Sequence, residues 1–143
     1  MQELTTTNVV YSTTVSSVGG RDGTIRSDDG TLDLKVAMPH SLGGVGGATN
    51  PEQLFAAAYA ASFLGIMMLV AVRDGIEFPR SAEVEAGVGV GPGQQALGIE
   101  VELRIHLPGL PRAEADSLVE KSHALCPYSN ATRGNVSVRL VFA

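Results

Sequence analysis

The apolar positions read from the amino terminus predict strands first. Residues 9–17, VVYSTTVSS, are rich in β-branched side chains, and the turn Gly19-Gly20-Arg21-Asp22-Gly23 leads into Thr24-Ile25-Arg26-Ser27, which predicts a hairpin. After Asp28-Asp29-Gly30, the stretch TLDLKVA alternates Leu32, Leu34 and Val36 with Asp33 and Lys35, the period of a half-buried strand. From Leu54 to Val72 the pattern changes to 19 residues without a charge, which predicts a central helix covered on all sides. Its start is marked by Asn50 as a cap, Pro51 in the first turn, Glu52 at the positive end of the dipole and Gln53 at the third helical position. Asp74-Gly75 stops it. Ala82 to Val90 then alternates small apolar and acidic residues, and after Gly91-Pro92-Gly93 the stretch ALGIEVELRIHL predicts a long strand. Ile99, Val101, Leu103 and Ile105 share one face of it, opposite Glu100, Glu102, Arg104 and His106. Arg112 to Leu125 predicts a shorter helix with Ala113, Leu118 and Val119 available for burial, ended by Cys126-Pro127, and VSVRLVF is the last strand. Strands, helix, strands, helix and strand within residues 1–143 give a single α+β domain.

The long apolar run could nearly cross a bilayer of about 30 Å hydrocarbon thickness. Its alanine content, the polar Tyr59 and Ser62 inside it and the lack of flanking basic clusters argue instead for the core of a protein outside the membrane. A helix this long and this apolar needs more cover than one small chain supplies, which implies a second copy, hence a homodimer. The formal charge of −5, with basic residues scattered, argues against a nucleic-acid surface. MQELTTTNVV has neither a basic start nor an apolar segment, so the expected compartment is the cytoplasm.

Few residues carry candidate chemistry. Cys126 is the single cysteine, so no disulfide can form within this chain, and by itself it reads as a buried or idle thiol. His40, His106 and His123 lack the spacing of a zinc site, so no metal is expected; a loop, an exposed strand face and a helix surface are their plain fates. Ser62 lies outside any G-x-S-x-G elbow, and its hydroxyl has an ordinary use in bonding back to the carbonyl of Ala58. Arg21 reads as an exposed turn residue and Glu52 as a helix-start carboxylate. The segment MPHSLGGVGGAT lacks the ending of a phosphate loop and reads as a compact connection.

Three stretches add a resemblance. GGRDG at 19–23, LGGVGGATNPEQLFAAAYAASF at 42–63 and HALCPYSNATRGN at 123–135, in this order and over nearly the whole chain, resemble the organic hydroperoxide resistance branch of the Ohr/OsmC family. The resemblance implies a cysteine-based peroxidase that reduces organic and fatty-acid hydroperoxides to alcohols. It also implies an intertwined homodimer of OsmC/Ohr-like fold, with antiparallel strands around a long central helix. It assigns the attacking cysteine of a Tyr-x-x-Cys-Phe segment to Ser62, the resolving cysteine to Cys126, the catalytic arginine to Arg21 and its carboxylate partner to Glu52. Phe55, Tyr59, Phe63 and Met67 would wall the substrate pocket. No bound cofactor is implied; the reductants would be dihydrolipoyl thiols, on dihydrolipoamide or on lipoylated proteins. Because ten residues of straight helix span about 15 Å, either Arg21 bridges much of the distance from Glu52 to Ser62 or the helix is broken between them.

The departure at position 62 outweighs the agreement elsewhere. A serine hydroxyl has almost no anion at neutral pH and cannot pass through a sulfenic acid to a disulfide. The chain is therefore expected to fold as the peroxidase does and to lack its turnover. Intact Arg21, Glu52 and Cys126 favour an engineered replacement of an active enzyme's cysteine over a natural chain that has lost the activity; codon 62 of the encoding gene decides between them. The rival readings are a binding module that holds a hydrophobic ligand without reaction, and another OsmC-like thiol peroxidase.

Overall fold

The computed structural model describes residue 6 and residues 8–143, and the chain divides after Leu54 into two units. The reading of the first ten residues as lacking an export signal rests largely on residues 1–5 and 7, which lie outside the described residues.

The first unit carries β1 (Val15–Val18), β2 (Gly23–Ser27) and β3 (Asp33–Val36), antiparallel and in that order. Ser17, Ile25 and Leu34 stand opposite one another across the three strands. The strand expected over residues 9–17 begins only at Val15, because residues 9–14 have no ladder to join; Thr14 accepts a single backbone bond from Asp28. The β1–β2 turn depends on its glycines. Gly19 and Gly20 lie at φ 83° and 62°, and a Cβ on Gly23 would fall 1.8 Å from the carbonyl oxygen of Val18. That turn presents Arg21, while Asp22 accepts the Met38 N–H at 3.1 Å and ties the turn to the following connection. The connection is compact, as expected, with one 3-10 turn at His40–Leu42 and a bridge between Val36 and Thr49.

Helix α1 (Pro51–Asp74) starts as its sequence predicts: the Asn50 side chain accepts the Gln53 N–H at 2.8 Å. Gln53 does not reach back to complete a reciprocal box; its side-chain oxygen accepts the Thr49 hydroxyl instead. The helix runs without interruption, so the break considered between Glu52 and Ser62 is not present.

In the second unit, β4 (Glu83–Pro92), β5 (Leu97–His106) and β6 (Ser137–Phe142) form one sheet with β5 in the middle, antiparallel to β4 and parallel to β6. Val101, Leu103 and Ile105 are buried on one face of β5, and Glu100 and Arg104 are exposed on the other, as the alternation requires. Tyr59, Phe63, Met67 and Val70 of α1 pack on this core together with Leu118 and Val119 of α2 (Arg112–Leu125). Each such burial stabilises by about 1.5–3 kcal/mol. The buried stripe of α2 is Ala115, Leu118, Val119 and Ser122; Ala113, expected inside, is exposed because it sits two positions off that helical stripe. A six-residue helix α3 (Pro127–Thr132), not legible as a periodic pattern, follows Cys126.

One chain covers α1 along one face; the cover expected on all sides included a second copy of the chain. Only Tyr59, Phe63, Met67, Val70 and Ala71 are buried, while Ala57, Ala61, Gly65, Met68, Leu69 and Val72 are open, Val72 at 81%. These open positions recur at helical spacing, so the uncovered part is one continuous stripe.

Candidate active site

Two pairs of side chains hold the candidate chemistry, one in each unit. In the first, the Arg21 guanidinium makes a two-pronged bond to Glu52, Nη1 to Oε2 at 2.9 Å and Nη2 to Oε1 at 2.8 Å. The residues are 31 positions apart, and the glycine turn on one side and the capped start of α1 on the other bring them together. Parallel N–H donors on a carboxylate fix the guanidinium plane as well as its position. Glu52 is the more enclosed partner, its side chain 16% exposed against 41% for Arg21.

The Arg21 hydrogen bonds hold the Glu52 carboxyl below the usual glutamate range and push the Arg21 guanidinium up, with the charge of each acting on the other in the same direction. A depressed carboxylate pKa contributes to stability above its unfolded value, and that contribution is lost as pH falls through the folded value. A carbon-detected NMR titration should therefore find the Glu52 midpoint below the usual glutamate range, and Arg21→Ala should move it up. A Glu52 midpoint in the ordinary range with Arg21 present would show that the two-pronged bond does not persist in solution.

The second pair is Ser62 and Cys126, with Oγ and Sγ 3.7 Å apart. Ser62 lies on α1, half-buried between Tyr59 and Phe63 on the core side and Ala61 on the open side. Cys126 is fully buried at the elbow where α2 ends and α3 begins. The Ser62 hydroxyl thus meets the thiol, where the simplest sequence reading has it bond to Ala58.

Of the four side chains expected to wall a pocket, Tyr59, Phe63 and Met67 have no exposed surface, and only Phe55 is half-buried, edge-on to Tyr59 at 6.3 Å. Of this set, Phe55 is the side chain with accessible surface in the single chain.

Tyr59 has a polar function that sequence reasoning missed. Its hydroxyl lies 2.8 Å from Ser129 Oγ and 3.4 Å from Thr132 Oγ1, and Ser129 Oγ lies 2.9 Å from His123 Nδ1. His123 is therefore half-buried and bonded, not a plain helix-surface residue. The available signal was a tyrosine in an otherwise apolar helix, whose hydroxyl requires a partner once buried. Ser129 and Thr132, three apart on α3, supply it. The other histidines have their expected surroundings: His40 is in the 3-10 turn, and His106 on β5 pairs with Glu85 at 3.0 Å. Among the described residues no three His, Cys, Asp or Glu side chains converge as metal ligands.

Residues 44–141 match the family model described as OsmC-like protein. The chain is 49% identical over 136 residues to the organic hydroperoxide resistance protein of Xanthomonas axonopodis pv. citri, covering 94% of this chain and 96% of that one. A crystal structure of an organic hydroperoxide resistance protein from Legionella pneumophila superposes with a TM-score of 0.90 at 43% identity, covering 95% of this chain and 99% of that chain. The corresponding protein OhrB of Bacillus subtilis gives a TM-score of 0.85 at 41% identity, covering 94% and 100%.

Proposed function

This chain belongs to the OsmC-like protein family, among relatives named for resistance to organic hydroperoxides, and from that premise we propose that it has the framework of an organic hydroperoxide reductase whose attacking cysteine is replaced by Ser62. What carries the reading is the 3.7 Å between Ser62 Oγ and Cys126 Sγ, at the two positions that the family resemblance assigns to the attacking and resolving thiols.

With cysteine at position 62, the thiolate attacks the distal oxygen of the hydroperoxide. The O–O bond breaks, the alkoxide takes a proton to leave as alcohol, and the sulfur becomes a sulfenic acid. The Cys126 thiol then displaces water from that sulfenic acid, forming a disulfide. A dihydrolipoyl group reduces the disulfide by two exchange steps and leaves as its own cyclic disulfide. Arg21, oriented by Glu52, serves as the positive partner that favours the thiolate and the developing alkoxide charge. Phe55 contributes to the apolar wall that favours an organic peroxide over hydrogen peroxide, since buried apolar area helps only the former. The framework works in the cytoplasm, without a bound cofactor. Ser62 cannot enter the first step, so the chain as it stands has no turnover. The deciding experiment is peroxide reduction by the Ser62→Cys variant.

The active form is a homodimer. Its support is the open stripe of α1 from Ala57 through Gly65 to Val72, together with exposed Val15, Val18 and Leu34 on the three-stranded sheet. Each unit by itself leaves apolar side chains uncovered, and uncovered apolar surface calls for a partner, here a second copy of the chain. Sedimentation at low micromolar concentration should give about twice the chain mass, and Ala61→Arg, which places a charge in the middle of the stripe, should shift the protein toward monomer. A parent that sediments as a monomer would contradict the assembly.

A further inference from the structure

The hydrogen-bonded group around Cys126 has no part in the peroxide chemistry, yet it surrounds the elbow that carries the sulfur. Cys126 joins α2 to α3, its N–H donating to Ser122 O at 2.8 Å and its carbonyl accepting the Asn130 N–H at 2.9 Å. Those backbone bonds continue each helix but do not set the angle between them. That angle is held by side chains reaching across: His123, three residues before Cys126, meets Ser129, three after it, at 2.9 Å, and Arg133 Nη2 donates to the His123 carbonyl at 2.7 Å. Ser129 also meets Tyr59 of α1 at 2.8 Å. Tyr59 and Ser62 are three apart on that helix and so share a face. The Tyr59–Ser129 bond therefore docks α3 one helical turn away from the Ser62–Cys126 contact.

The protons can be counted. Thr132 donates to a backbone carbonyl, Tyr128 O at 2.9 Å or Ser129 O at 3.2 Å, so its oxygen is free to accept. With His123 Nδ1 accepting, the chain runs from Tyr59 to Ser129 to His123; with Nδ1–H donating, it runs back through Ser129 and Tyr59 to Thr132. Both directions satisfy the two buried hydroxyls, and neither needs a charged imidazole. Burial and the nearby Arg133 charge hold the His123 pKa below its ordinary value, which favours the neutral ring. A closed polar chain in an apolar surrounding is costly to rearrange, because opening one link leaves a buried group without a partner.

We propose that His123, Ser129 and Tyr59 form a positioning relay that holds the Cys126 sulfur against position 62 and thereby raises the effective concentration of one for the other. The relay rests on the assignment of positions 62 and 126 as the disulfide pair. Its test does not depend on peroxide.

The Ser62→Cys protein is equilibrated with mixtures of oxidised and reduced dithiothreitol. Two protein thiols and the cyclic reagent give the 62–126 disulfide and the reagent dithiol, with two electrons and two protons passing to the reagent. Acid quenching, alkylation and mass spectrometry read the fraction oxidised. His123→Leu and Tyr59→Phe should each lower the equilibrium constant for the disulfide about tenfold, while His123→Asn, whose amide can occupy the place of Nδ1, should stay within about twofold of the parent. Circular dichroism confirms that each variant is folded under the assay conditions, and Ser129→Ala, which removes one buried oxygen, replaces any variant that is not. The relay is overturned if the folded Leu, Phe and Ala variants keep the parental constant, if Asn falls as far as Leu, or if the parent forms no 62–126 disulfide. A parent that forms the disulfide but ignores peroxides would overturn the reductase reading and leave the relay to be judged on its own constant.

Discussion

Ser62→Cys should turn an inert chain into a rapid organic hydroperoxide reductase. As it stands, the protein with cumene or tert-butyl hydroperoxide and dihydrolipoamide should consume peroxide no faster than the uncatalysed background. It should also form no internal disulfide, since Cys126 is its single cysteine. With cysteine at position 62, consumption should rise far above background, and oxidant added without reductant should join positions 62 and 126. The size of the effect follows from the step restored. A thiol has a few per cent of its anion available at neutral pH even before any neighbouring charge acts, and its sulfur tolerates a sulfenic acid. A serine hydroxyl offers almost no anion and no comparable oxidation state. No change in an orienting group could cost as much. If the Cys variant is folded and dimeric yet inert toward several organic hydroperoxides, the assignment fails, and a non-catalytic binder of hydrophobic ligands becomes the better account. Codon 62 separately tells whether the serine was introduced or is native.

In the same Ser62→Cys background, Arg21→Ala should slow peroxide attack by roughly 100-fold, about 2.7 kcal/mol, the order expected when a charge partner of the transition state is removed. Stopped-flow thiol oxidation isolates this step from reductant turnover. The protein without Arg21 should still fold, because the pair it forms with Glu52 is partly exposed, and exposed ion pairs contribute little to stability. Loss of rate without loss of stability is the signature sought. An Arg21→Ala protein that reacts at the parental rate would reduce Arg21 to a surface partner of Glu52.

The local features of this fold are legible in the chain. The bounds of α2, the Asn50 cap and the alternation along β5 all follow from residues within a few positions of one another, where propensity and period operate directly. Length of pairing is less local. Residues 9–14 have strand composition but no ladder partner, and α3 is too short to show a period and is held by Tyr59 from a helix about 70 residues earlier.

The candidate site divides in the same way. Sequence alone determined that position 62 carries a hydroxyl and position 126 the single thiol; the identity of a side chain is a property of one residue, and the difference between a hydroxyl and a thiol does not wait on the fold. Only the tertiary structure decided that Ser62 and Cys126, 64 residues apart, stand at 3.7 Å, that Arg21 grips Glu52 with both prongs, and that Tyr59 spends its hydroxyl on Ser129 while its ring is sealed in the core. Such contacts depend on where helices cross and on which buried polar groups find one another, and packing settles both only when the whole core closes.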